Sequence, residues 1–168
     1  MLRETARLNA AYWAALSNIR LGGTVFSFQN HEYMIEPMSQ QGKEVICSKA
    51  TGGGFSQAFI LDSLHGMIYG RYPQGVLYLF PTDQDMQDYS KARFGPLTEQ
   101  NSATIGQFIK SGSGKATDSA RLKQVGNSFL YMRGATLSRS MGEDTTEKES
   151  SRLSGIQVDS CVFDEVGK

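Results

Sequence analysis

The chain has 168 residues, 39% of them hydrophobic and 20% charged, enough for one domain with its own core and outside the disordered and membrane-embedded classes. No apolar run approaches the roughly 18 residues of a membrane span, and residues 1–20 carry Arg3, Glu4 and Arg7 rather than the apolar stretch of a signal peptide. With 17 basic and 17 acidic residues the formal net charge is zero, which excludes a broad electrostatic grip on nucleic acid; any such contact is local or lies in residues not present here.

In chain order, residues 2–19 read as a helix with Leu8, Ala11, Tyr12, Ala15 and Leu16 on one stripe, stopped by Gly22-Gly23. Residues 31–38 form a second short helix, ended by the turn Ser39-Gln40-Gln41-Gly42. Residues 44–48, β-branched in the middle, read as a buried strand, and residues 49–54 as a loop. Residues 56–69 are helical, with Phe59, Ile60, Leu61, Leu64, Met67 and Ile68 around most of the circumference, so this helix is expected to be largely buried. Residues 75–80 form a strand stopped by Pro81. Thr82 then opens a helix with Asp83 and Asp85 in its first turn, where they suit the helix dipole.

Residues 110–118 are a Gly/Ser loop, and residues 121–125 and 129–133 form a hairpin around Gly126-Asn127. Residues 135–155 are polar, charged and expected to be mobile. Residues 158–163 are a last apolar strand running into Asp164-Glu165. Strands alternating with helices predict an α/β fold whose mostly parallel sheet is covered on both faces. Cys47 and Cys161, in strand-like runs, are expected as two buried, reduced thiols rather than a disulfide. His31 and His65 are the only histidines, and no metal-ligand spacing occurs.

A phosphate-binding loop of the form G-x-x-x-x-G-K-[ST] sits between a strand and a helix. With Ser56 on its last position, Gly54 falls on the second glycine, Phe55 on the lysine and Lys49 on the first glycine. The usual cation is therefore displaced to the front of the loop. Gly52, Gly53 and Gly54 still allow backbone N–H groups to close around phosphate oxygens, aided by the dipole of the following helix. The Ser56 hydroxyl suits Mg²⁺, and Lys49 can fold back to the β/γ-phosphates. A glycine turn with a surface lysine is the plainer alternative; the strand before and the helix after favour a nucleotide. Gly112-Ser113-Gly114-Lys115 imitates the motif but has Ile109 and Ala116 in the outer slots and no strand before it, so it reads as a flexible loop.

The second element is Asp164-Glu165 at the end of an apolar strand. There Asp164 is suited to hold Mg²⁺ through water and Glu165 to polarise an attacking water. Alone this is a common strand ending; together with the loop it makes a coherent pair.

These residues resemble a family. Lys49-Ala50-Thr51-Gly52-Gly53-Gly54-Phe55-Ser56 is similar to the deviant Walker A of phage terminase large subunits, whose basic residue stands at the front of the loop. Val76-Leu77-Tyr78-Leu79-Phe80-Pro81-Thr82 resembles the strand-then-PT segment that these ATPases share with helicases. Arg93-Phe94-Gly95-Pro96-Leu97 resembles the R-x-x-P-hydrophobic stretch after it, Gly134-Ala135 the GA before a variable loop, and Cys161-Val162-Phe163-Asp164-Glu165-Val166 the Walker B. Residues 26–33 sit where the family keeps an adenine-contacting segment, with Gln29 as the contact. The likeness covers residues 24–168. Thr51 departs from the Arg or Gln of many relatives, and the chain stops at Lys168, before the coupling motif and nuclease domain of the family.

The resemblance implies an ASCE-type P-loop NTPase, truncated after Walker B, with a helical segment at 1–23 and the ATPase domain at 24–168. It implies ATP and Mg²⁺ as cofactors and ATP hydrolysis that drives double-stranded DNA into a viral capsid. The partners it implies are a portal protein, a small terminase subunit and further copies of the chain. The implied location is the host cytoplasm, transiently at the procapsid portal, with no membrane. Rival readings are a helicase-like translocase, against which Phe55 argues, and a non-catalytic nucleotide-binding remnant. Arg133, Arg139 and Arg152 are candidate charge-stabilising arginines for a neighbouring subunit, each also readable as a surface residue. Asp83, Asp85 and Asp88 read as a solvated helix face, and Trp13 and Tyr12 as helix packing.

Overall fold

The computed structural model describes residues 4, 6–7, 9–40, 44–47, 52–109, 118–135 and 155–164. The expected helix over residues 2–19 is interrupted. Glu4, Ala6 and Arg7 are helical, but Asn9 adopts extended backbone (φ −140°), and its side chain accepts from the Ala11 and Tyr12 N–H groups at 2.9 and 3.2 Å. Such a cap starts a new helix, α1 (Ala10–Leu16), which buries Trp13 and leaves Tyr12 half exposed. Gly22-Gly23 does not end it. With φ values of 58° and 88°, these glycines form the turn of a small hairpin, β1 (Arg20–Leu21) and β2 (Thr24–Val25).

A side-chain staple holds that hairpin. Asn101, 5% exposed, accepts from the Arg20 N–H at 2.7 Å and donates to the carbonyls of Arg20 and Leu97 at 2.8 and 2.7 Å. Every polar atom of the buried amide is thereby satisfied, as burial requires. Ala10, Trp13, Ala14 and Ile19 share one hydrophobic core with Ile60, Leu61 and Leu64, which lie beyond the expected boundary at residue 23.

A 3₁₀ turn (Glu32–Met34) leads into α2 (Ile35–Ser39). Residues 44–47 then depart from expectation. They join no ladder, and Ile46 is 86% exposed. β-Branched side chains fit a pleated surface but supply no partner strand, so propensity alone does not put these residues in the sheet. Next comes α3 (Phe55–Ile68), buried around most of its circumference as its sequence requires. Among the described residues no helix is long and apolar enough to cross a membrane.

The fold is α/β. Its main sheet has the order β4 (Asp118–Ser119), β5 (Leu122–Val125), β6 (Ser128–Gly134), β3 (Val76–Phe80), β7 (Ser160–Phe163). β6, β3 and β7 run parallel, placing Tyr78 between Met132 and Val162, while β5 opposes its neighbours on either side. The β5–β6 hairpin turns at Gly126-Asn127 as expected. β7 begins only at Ser160 because the Asp159 carboxylate turns back to accept from the Gln74 and Gly75 N–H groups at 2.7 and 3.3 Å, pinning the starts of β3 and β7.

The two faces of the sheet differ. Val76, Tyr78, Phe80, Leu130 and Met132 form the inner face and join the core. Thr82 caps α4 (Asp83–Tyr89) through the Asp85 N–H at 3.0 Å, and Tyr89 packs its ring on Phe80 and Tyr78, so α4 covers the same face as the start of α3. On the other face Leu77 is buried, Leu79 and Tyr131 are half-buried and Phe163 is 60% exposed. Among the described residues that face is the less covered of the two. Cys161 lies exposed on β7 and Cys47 half-buried, both as free thiols rather than buried ones.

Asp83 is an anchor rather than part of a solvated face. It accepts from the Gly134 N–H at 3.2 Å and pairs with Arg121 at 2.7 Å. Gly134 is needed there, since a Cβ on it would stand 2.1 Å from the Asp83 nitrogen. After α4 a π-helical turn (Ser90–Phe94) leads directly into α5 (Gly95–Gln100).

Candidate functional site

The described part of the glycine loop leads into α3 through left-handed backbone, with the Met34 side chain packed beside Gly54. Gly52 and Gly54 have φ of 83° and 75°, a left-handed conformation open to glycine at little cost. Gly54 is the N-cap of α3 and places no side chain over the first turn. The helix therefore starts with backbone donors that no capping side chain occupies, at its positive end.

Aromatic packing fixes the loop from the side. Phe55, in the lysine position of the motif, lies 5.5 Å from the Tyr33 ring and 6.1 Å from Phe59. The Tyr33 hydroxyl donates to the Gly53 carbonyl at 2.9 Å. That bond ties the loop to the segment holding Gln29, which is exposed and whose backbone N–H donates to Ser27 Oγ at 3.1 Å.

Two tyrosines connect the loop to the strand ends. The Ser56 carbonyl accepts from the hydroxyls of Tyr78 at 3.3 Å and Tyr89 at 3.4 Å. Burial pushes both phenols well above their ordinary range, and the nearby Asp164 carboxylate pushes each further in the same direction. Both therefore stay protonated and act as donors. Asp164 follows β7, and its N–H donates to the Leu79 carbonyl at 2.9 Å. The Ser56 backbone carbonyl is thus held by two phenols that also feel the charge of Asp164 at the end of β7. Beside them lies a hollow of about 270 Å³, bounded by Phe80, Pro81 and Asp164 from the strand ends and by Asp85, Tyr89 and Arg93 from α4 and the π turn.

Of the sequence-derived site, Gln29, Gly52, Gly53, Gly54, Phe55, Ser56 and Asp164 are placed by the structure. Lys49, Ala50, Thr51 and Glu165 lie outside the described residues, as do Lys115, Arg139 and Arg152. Arg133 stands apart, donating to the carbonyls of Arg121 and Met132 at 2.6 and 2.8 Å. Among the described residues no group of three or more His, Cys, Asp or Glu is placed to hold a metal. A serine hydroxyl and a carboxylate are groups of the kind that bind Mg²⁺, which takes few protein oxygens together with phosphate and water. No protein-family model, no curated protein and no solved structure matches this chain.

Sequence reasoning missed Tyr33, Tyr78 and Tyr89. A usable signal existed for Tyr78, a lone phenol inside an aliphatic strand, because a buried tyrosine hydroxyl needs a partner.

Proposed function

We propose that this chain is a P-loop ATPase of the ASCE type, the motor domain of a viral terminase large subunit that drives double-stranded DNA into a capsid. The observation that carries the ATPase part is that Tyr78 and Tyr89, which feel the charge of Asp164, hold the Ser56 carbonyl on the first turn of a glycine-led helix with no side-chain cap. The terminase part rests on the ordered series of motifs from residue 26 to residue 166. The partners that follow are a portal protein, a small terminase subunit and further copies of the chain, met in the host cytoplasm.

In this reading the N–H groups of residues 52–54 bind phosphate oxygens, and Lys49 neutralises their charge. Gln29 contacts the adenine. Ser56 and Asp164 hold Mg²⁺, which when bound supplies charge neutralisation at the β- and γ-phosphates. Glu165 takes a proton from the attacking water.

The position of residues 44–47 outside the sheet favours a second reading, a nucleotide-binding module without turnover, because among the described residues no strand leads into the loop. A Mg²⁺-dependent ATP titration beside a steady-state ATPase assay decides between them. Lys49→Ala and Asp164→Ala are expected to lose binding, and Lys115→Ala to keep it. Glu165→Gln is expected to bind ATP while turnover drops by about 10²–10⁴-fold. Binding without turnover in the wild type selects the second reading, and loss confined to Lys115→Ala rejects the chosen loop.

A further inference from the structure

We propose that Tyr78 and Tyr89 are positioning residues of the nucleotide site, two interchangeable latches that set the first turn of α3 against the carboxyl end of the sheet. The assignment rests on the reading of that turn as part of an ATP site, and it concerns what the two hydroxyls are for.

The phenols come from different elements. Tyr78 is fully buried in the middle of β3, and Tyr89 is the last residue of α4. Their rings stack at 5.9 Å, and Phe80 lies 4.9 Å from the first and 5.0 Å from the second. Phe80 packs as closely without a hydroxyl, so the ring cluster itself does not require one. Tyr89 reaches the cluster where the helix widens. The Gly95 N–H donates to the Ser90 carbonyl, and Phe94, five positions beyond Tyr89, is buried as well. Positions five apart diverge on an α-helix but share a side on a π-helical turn, a feature frequent at functional sites.

A phenol taken out of water needs an acceptor. Both of these donate to the Ser56 carbonyl, at 3.3 and 3.4 Å. Both distances exceed the ordinary O–H···O range of about 2.5–3.0 Å, so neither bond offsets the burial of its hydroxyl as a short one would. Two long bonds on one acceptor add little to the stability of the fold. What they define is the place of the Ser56 main chain, and with it the first turn that follows the glycines. They are also redundant, since loss of one donor leaves the other free to close on the same oxygen. The Asp164 charge reaches both phenols. The latch therefore lies between the helix start and the strand end, the two places to which the proposed reading assigns Mg²⁺.

The test takes Tyr78→Phe, Tyr89→Phe and the double variant of the full chain, with Tyr131→Phe on the opposite face of the sheet as a control. Each is titrated with ATP at fixed Mg²⁺ and with Mg²⁺ at fixed ATP. The single variants and the control are expected to stay within about 3-fold of wild type in both titrations. The double variant is expected to bind ATP about 10–100-fold more weakly and to need about 10-fold more Mg²⁺ for half-saturation, well beyond the product of the singles. Thermal midpoints without nucleotide are expected to agree within about 4 °C, which separates positioning from support of the fold. A double variant within about 3-fold of wild type overturns the assignment, as does a single variant that already loses as much as the double. A larger fall in midpoint, or failure of the double variant to fold, assigns the hydroxyls to the fold and overturns it too. In each of those cases the ATP reading stands, because the wild type binds. Failure of the wild type to bind Mg²⁺·ATP removes that reading and the latch assignment together.

Discussion

At Gly134 the chain closes on itself; at Gly52, among the described residues, it stays open. Both junctions lie toward the carboxyl ends of the parallel strands, and both depend on glycine. At Gly134 the backbone of β6 presses against the start of α4, and the hydrogen that replaces a side chain is what lets Asp83 accept from the strand. At Gly52 nothing in the described protein stands within 4 Å of where a Cβ would be, and the constraint is the left-handed φ alone. The first glycine is required by protein packed against it. Among the described residues the second leaves a backbone surface bare close to a helix start with no side-chain cap; it adds little to the fold and, in the proposed reading, serves a ligand.

Substitution at each junction turns that contrast into measurements. The largest effect is expected from Gly134→Ala, which forces strand and helix apart and costs about 2–4 kcal/mol, read as a fall in the urea midpoint. Destabilisation of less than about 1 kcal/mol would mean that the junction yields easily and the contrast is wrong. Gly52→Ala is expected to cost only about 1 kcal/mol of stability, for the left-handed backbone. Under the proposed reading its Mg²⁺·ATP affinity is expected to drop more than about 10-fold, because the methyl would then stand where phosphate approaches. Retained affinity in that variant would remove the functional half of the comparison.

The far end of α3 supplies the smallest effect. His65 is buried, its Nε2 paired with the Ala6 carbonyl at 2.8 Å and its Nδ1 without a partner among the described residues. Burial holds its pKa below the usual 6.5. The Arg71 charge adds to that, and the Ala6 carbonyl and Asp62 only partly oppose it. The unfolded chain therefore takes up this proton more readily. The stabilising contribution is complete above pH 6.5 and is lost as pH falls from there through the lower folded value. One proton allows a slope no steeper than about 1.4 kcal/mol per pH unit. Urea midpoints between about pH 7.5 and pH 5.5 should slope less in His65→Phe than in wild type, and equal slopes would exclude His65 as the source.

Much of this arrangement was legible in one dimension. α3 announced itself by apolar residues around its circumference, β3 by the run that Pro81 ends, α4 by Thr82, and the β5–β6 hairpin by Gly126-Asn127. These signals are local, and local chemistry decides them. The break at Asn9 was hidden because a capping side chain acts within an apolar stripe that otherwise continues. The β1–β2 hairpin was hidden because two-residue strands have no periodicity to read. Residues 44–47 had strand propensity without a strand to pair with. At the site, the glycine loop and Asp164 were visible as motifs. What ties the start of α3 to the sheet, two phenols donating to the Ser56 carbonyl, links residues far apart in the chain and leaves no pattern in it.

Asn101 has a consequence for how the molecule breathes. Its amide holds both backbone groups of Arg20, so the hairpin cannot detach while the end of α5 is in place. Gln100 adds a bond from its side-chain oxygen to the Gly23 N–H at 3.1 Å. Two segments about eighty positions apart in the chain thereby open and close as one unit. The Arg20 amide, although it sits in a strand of only two residues, is expected to exchange its hydrogen at a rate set by the loosening of α5 rather than by fraying of the hairpin, which hydrogen exchange on an Asn101→Ala variant checks.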